Sequence, residues 1–127
     1  MRRFLAALGA AACLMGMPVI GGGAQVASAW SFSPGSCAWY AASVRPDIGS
    51  RVVGNAANWI FAAQRAGLDT GDSPAPDAIV VYQPGVQGAW GAGHVAHVLA
   101  VDPDGVHFLV QEMDYPVAGR VTQRMSY

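Results

Sequence analysis

The sequence predicts an α+β domain, with N-terminal helices packed on an antiparallel β-sheet. Three observations predict it. The apolar period changes from helical to alternating near residue 78. A stretch rich in Gly, Pro, Asp and Ser, residues 69–77, separates the two regimes. Residues 30–127, free of repeats and low-complexity tracts, are long enough to bury one core of this kind.

The first 29 residues are a different material. The chain of 127 residues is 53% hydrophobic, but residues 1–29 are about two-thirds apolar and the rest about half. Arg2 and Arg3 make a positive start, Phe4 to Ile20 carries no charge, and Pro18 with Gly21-Gly22-Gly23 breaks the run. Ala27-Ser28-Ala29 supplies the small residues that a signal peptidase needs. Residues 1–29 therefore read as a secretory signal, with Trp30 as the mature N-terminus. The apolar run of roughly 17 residues sits at the short edge for an uncleaved membrane anchor. Lipidation at Cys13 would shorten it further and lacks a leucine three positions earlier.

From residue 30 the elements follow in order. Ser33-Pro34-Gly35 is a turn, and a first helix is expected over 36–45, stopped by Pro46. A loop with Asp47, Gly49 and Gly54 precedes a second helix, capped by Asn55 and closed by Gly67. Its apolar stripe is Trp59, Ala62, Ala63 and Ala66. Residues 78–83, 94–101, 106–113 and 119–126 read as strands, with a glycine-rich loop at 84–93.

Asp102-Pro103-Asp104-Gly105 carries Pro at the second turn position and Gly where a left-handed residue is needed. That favours a three-residue loop in which Asp102 faces Val106. Ala96 then lies opposite Glu112 and His94 opposite Asp114. His94, Ala96, Phe108, Val110, Glu112 and Asp114 share one face, which is apolar and expected to carry the helices. His97, His107, Leu109 and Gln111 point the other way.

Charge and cysteine count narrow the function. Residues 30–127 hold five arginines, no lysine and eight acids, a net charge of −3. That balance, without any basic run, argues against nucleic acid as partner and against electrostatic attachment to an anionic surface. Cys37 is the one cysteine left after the signal, so no internal disulfide forms. A lone thiol in an oxidising compartment is either buried or at work. Cys37 opens a helix, where backbone N–H groups and the helix dipole favour the thiolate. A thiol nucleophile needs a base and an acceptor that orients the base. His94 and the carboxylates Glu112 and Asp114 are of the required types and share a face. Trp39, Tyr40 and Trp59 read as core, Trp90 as a groove lining, and His97 and His107 as surface or structural residues. No Cys/His/Asp spacing suggests a metal, and no cofactor is implied.

Gly35-Ser36-Cys37-Ala38-Trp39-Tyr40, Gly54-Asn55-Ala56-Ala57-Asn58-Trp59, Pro76-Asp77-Ala78-Ile79, Gly93-His94-Val95-Ala96-His97-Val98 and Glu112-Met113-Asp114-Tyr115 together resemble the motif series of the CHAP family, the cysteine, histidine-dependent amidohydrolases/peptidases. The resemblance covers residues 30–127. It implies a papain-like fold and cleavage of amide bonds in peptidoglycan peptides by a secreted or envelope enzyme, as N-acetylmuramoyl-L-alanine amidase or cross-bridge endopeptidase. By position it implies Cys37 as nucleophile, His94 as base and Glu112 as its orienting partner. Ser36 stands where the family often has an oxyanion-binding Gln, and Asp114 where it often has Asn. A second carboxylate near His94 would raise its pKa. The alternatives are an inactive CHAP-fold module that binds wall peptides or a partner protein, and a lysis or toxin module. A monomer, without membrane contact once the signal is removed, is expected.

Overall fold

The computed structural model describes residues 2–6 and 31–127. Among these, β1 (Arg2–Ala6) comes first, then α1 (Cys37–Val44), α2 (Pro46–Gly49) and α3 (Trp59–Arg65). Strands β2 (Asp69–Gly71), β3 (Ile79–Tyr82), β4 (His94–Val101), β5 (Phe108–Met113) and β6 (Val121–Ser126) complete the chain. The six strands form one sheet in the order β2-β1-β3-β4-β5-β6, every neighbouring pair antiparallel.

The helices bear out the apolar stripe. Trp59, Ala62 and Ala63 are buried, with Ala66 packed beside them. Ser36 caps α1 by accepting the Trp39 N–H at 3.1 Å. Pro46 stops α1 and starts α2, where a loop was expected, because its fixed φ suits a first helical position. Asn55 precedes a single 3₁₀ turn, Ala56–Asn58, without a side-chain cap, and α3 follows directly.

Two apolar clusters lie on opposite sides of the sheet. Helices α1 and α3 cover Ile79, Val81 and Val95. The other side holds Phe4, Val80, Tyr82, Ala96, Val98, Phe108 and Val110. The helices therefore occupy the face opposite His94 and Glu112, contrary to expectation. Both faces of β3 are wholly buried, so apolarity could not tell them apart.

The second face is covered by curling of the sheet. Phe4 and Phe108 meet edge to face with centroids 5.4 Å apart. Their strands are three spacings apart, about 14 Å in a flat sheet. Tyr82 Oη and Ser126 Oγ, also three strands apart, lie at 2.7 Å. The sheet is thus a half-barrel, and His94, Glu112 and β6 side chains point into its concave side.

The hairpin differs from expectation near its turn and agrees at the site. Asp102 N–H bonds the His107 carbonyl at 2.8 Å, so Asp102 faces His107 rather than Val106. Asp104 takes up the Val106 and His107 N–H groups, which lengthens the loop by one residue. A bulge between Val98 and Ala100 removes the offset, and His97 pairs with Gln111 in the expected register.

Strands β1 and β2 were not expected. Arg2–Ala6, read as the start of a signal, pairs here with both β2 and β3. The rest of that segment, residues 7–29 with its cleavage site, lies outside the described residues.

Candidate active site

The site is assembled where α1 meets the beginning of β4. Gly35, at φ +86, turns the chain into the cap, and Cys37 is the first residue of α1. Tyr40 donates its hydroxyl to Gln111 Oε1 at 2.7 Å, which ties the helix to β5. On the other side, Gly93 precedes His94 at φ +75. A side chain there would meet Ala57 N at 2.7 Å and Tyr82 O at 2.8 Å. Only glycine allows the 56–58 turn to close onto this corner, where Ala57 N–H bonds the Ala92 carbonyl at 2.9 Å.

His94 is 5% exposed and Glu112 is fully buried. His94 Nε2 lies 2.7 Å from Glu112 Oε2. The bond to Glu112 fixes a hydrogen on Nε2 and leaves Nδ1 for another partner. The ring stacks at 6.0 Å on Tyr82 and lies 5.6 Å from Tyr115. Burial alone would raise the Cys37 thiol pKa. The neighbouring His94 and the N–H groups of Val95 and Ala38 outweigh it, and the pKa is lowered. Burial likewise opposes the imidazolium, yet Cys37 and Glu112 raise His94 to about 9. Both shifts favour a thiolate–imidazolium pair, the form in which a cysteine attacks.

A cleft of about 610 Å³ opens over this pair. Ser36, Asn55, Trp90 and Asp114 are on its walls, and Trp90 is 78% exposed at the rim. The Ser36 hydroxyl oxygen is engaged in capping α1 and its N–H bonds the Ser33 carbonyl. Asp114 is not beside His94 in the way the strand alternation suggested. It follows the end of β5 at φ +67, and its Oδ1 accepts the Gly119 N–H at 2.9 Å. Trp59 is core, Tyr40 and Trp39 are half-buried, and His97 pairs with Asp77 at 2.7 Å on the helix side of the sheet.

Sequence reasoning missed Arg124. Its Nε donates to Glu112 Oε1 at 2.6 Å, and its guanidinium lies over Tyr115 at 4.5 Å and Tyr82 at 5.2 Å. The signal was present as alternation: Thr122, Arg124 and Ser126 point inward along β6, while Val121, Gln123 and Met125 are exposed.

With this geometry in place, the comparisons are specific. The CHAP domain family model matches residues 27–114. The chain belongs to the CHAP domain family. Staphylococcal secretory antigen SsaA of Staphylococcus epidermidis is 42% identical over 103 residues, covering 80% of this chain and 37% of that protein. Secretory antigen ssaA2 of Staphylococcus aureus is 40% identical over 95 residues, covering 73% and 33% respectively. The crystal structure of N-acetylmuramoyl-L-alanine amidase from Staphylococcus aureus superposes with a TM-score of 0.64 at 29% identity. That match covers 73% of this chain and 27% of the amidase. The chain thus spans about a third of the curated relatives it matches. The CHAP domain here has the α+β, papain-like architecture.

Proposed function

We propose that this CHAP domain is a secreted peptidoglycan hydrolase that cleaves amide bonds of the wall peptide through Cys37, His94 and Glu112. The observation that carries the reading is the thiol beside an imidazole whose far nitrogen is held at 2.7 Å by a buried carboxylate. The names of the related secretory antigens support secretion, and the amidase neighbour supports the substrate class.

In the first half-reaction, Cys37 Sγ attacks the amide carbonyl carbon. The C–N bond breaks, the departing amine takes the proton from His94 Nδ1, and the acyl group stays on sulfur as a thioester. In the second, His94 takes a proton from water, the hydroxyl attacks the thioester, and the acid leaves with the thiolate restored. Glu112 stabilises the imidazolium in both. The backbone N–H of Cys37, in the first turn of α1, serves as an oxyanion donor in this reading, while the Ser36 hydroxyl is occupied by the cap. Trp90 contributes a hydrophobic wall for the peptide.

Purified peptidoglycan treated with the protein should release fragments whose masses report the bond cut. New N-terminal alanine on the stem peptide marks an amidase, and a freed cross-bridge amine marks an endopeptidase. Unchanged peptidoglycan alongside a reactive Cys37 favours the inactive, peptide-binding module.

Export through residues 1–29 is part of the proposal. The proposed signal and strand β1 share the Arg2–Ala6 segment, which cleavage before Trp30 would remove. The intact mass of the exported protein decides between them: a chain starting at Trp30 supports export, and one retaining Arg2 assigns the segment to the sheet.

A further inference from the structure

We propose that Arg124 is a positioning residue of this site: its guanidinium holds one oxygen of Glu112 so that the other stays on His94. This rests on the thiol–imidazole reading above and deepens it.

Glu112 is fully buried, and each of its oxygens has one partner: Oε2 meets His94 Nε2 at 2.7 Å, and Oε1 meets Arg124 Nε at 2.6 Å. The last torsion of a glutamate is broad and roughly two-fold. With His94 alone to hold it, the carboxylate could rotate and the imidazole with it. A second, charged donor on the other oxygen removes that freedom.

Arg124 is itself fixed. It sits on β6 opposite Val110, a diagonal step from Glu112 and within reach of a long side chain. Its Nη1 donates to the Gln87 carbonyl at 3.1 Å, and its plane rests against the Tyr115 and Tyr82 rings. Those two rings also flank His94. One arginine therefore connects the carboxylate to both aromatic walls of the base.

The charged and titratable groups near the pair are Cys37 on α1, Tyr82 on β3, Glu112 on β5, Asp114 and Tyr115 after it, and Arg124 on β6. Arg2 on β1 lies farther out, over the Phe108 ring. Among the described residues, Arg124 is the guanidinium that touches Glu112. It also compensates the buried negative charge. Without it, Glu112 would sit unpaired on one side, a costly state. An inward charge on an edge strand can also serve only to discourage edge pairing. That role would not touch the chemistry of Cys37.

The experiment uses the full chain with Arg124→Met and Arg124→Lys. It reads the pH profile of Cys37 alkylation by iodoacetamide and the kinetics of peptidoglycan hydrolysis. Arg124→Met should lower kcat about 10- to 100-fold, the scale carried by outer partners of an oriented histidine. KM should change little, and the alkylation midpoint should move upward. Arg124→Lys should recover part of both. On a Glu112→Gln background, Arg124→Met should cost little more, because its effect passes through Glu112. That double variant removes both charges and keeps the test usable if Arg124→Met folds poorly. An unchanged profile and kcat in Arg124→Met, or a full additional loss on the Glu112→Gln background, overturns the proposal. His94→Ala separates the two readings: if it leaves the alkylation profile at its wild-type position, the thiol–imidazole reading itself fails, whatever Arg124 does.

Discussion

Strand β4 carries two histidines, and each belongs to a similar trio on an opposite face of the sheet. His94 meets Glu112, which meets Arg124, on the concave side. His97 meets Asp77, which meets Arg45, on the helix side. The His–carboxylate separation is 2.7 Å in both. The environments differ. Glu112 is sealed, while the Asp77 carboxylate is 70% exposed. Unit charges 4 Å apart interact by about 1 kcal/mol in bulk water and about 4 kcal/mol near a protein surface. Burial thus makes the charges of the first trio interact more strongly than those of the second. The second trio also lacks a thiol. Arg45 instead forms two bonds to Asp47, at 2.9 and 2.7 Å, where α1 gives way to α2, and joins that corner to the sheet. A His–carboxylate–Arg constellation is therefore not a catalytic signature by itself. Under the proposed function, desolvation and the Cys37 thiol nearby make the difference.

The largest expected effect separates the two faces. Cys37→Ala should abolish peptidoglycan hydrolysis and keep the fold, as judged by circular dichroism. His94→Ala should lower kcat by several orders of magnitude, since members of such a unit fail together. His97→Ala should leave hydrolysis near wild type and lower stability by less than about 1 kcal/mol, because its partner is solvated. Equal kinetic losses from the two histidines would break the comparison.

The carboxylates sharpen it. Glu112→Gln should reduce kcat far more than it changes KM, because the base loses its orientation rather than the substrate its contacts. It should also lower unfolding stability by about 3–5 kcal/mol, since glutamine keeps an acceptor oxygen but removes the buried negative charge that compensates Arg124. Asp77→Asn should cost less than about 1 kcal/mol. Asp77 sits at φ +67, a conformation that asparagine also tolerates. Chemical denaturation of the two variants side by side reads the difference.

The pH dependence should come from one trio alone. Cys37 is lowered by His94, so its thiolate persists below the ordinary thiol range, and iodoacetamide at pH 6–7 should react faster with Cys37 than with free cysteine. The imidazolium loses its proton near pH 9, so hydrolysis should fall on the alkaline side as His94 titrates. His97→Ala should leave both limbs in place.

How much of this was legible depends on the range of the interaction. The opening of a helix at Cys37 and the alternation that sets His94 and Glu112 on one face are local, and the structure has them. The side on which the helices pack is not local. Strand β3 is buried on both faces, so its residues offer no preference. The bulge at β4 was hidden because the longer turn compensates it, leaving the register at the site unaltered. Arg124 lies beyond a loop with no tight-turn signal, so its register against Glu112 had no anchor in the sequence. Strand β2 is three residues long and carries no apolar pattern.

The smallest expected effect concerns Asp114, the second carboxylate that alternation placed opposite His94. Strand β5 ends at Met113, and the left-handed turn at Asp114 swings its side chain to the Gly119 N–H. Asparagine tolerates that backbone and keeps the same acceptor oxygen. Asp114→Asn should therefore change stability by no more than about 0.5 kcal/mol, with kcat close to wild type. The acid sits on the cleft wall, exposed, with solvent to screen it from the imidazolium. Peptidoglycan hydrolysis by Asp114→Asn and Glu112→Gln, measured in parallel, checks the assignment. If Asp114→Asn loses activity while Glu112→Gln keeps it, Asp114 orients the base, and the sealed trio would owe its burial to folding rather than to chemistry.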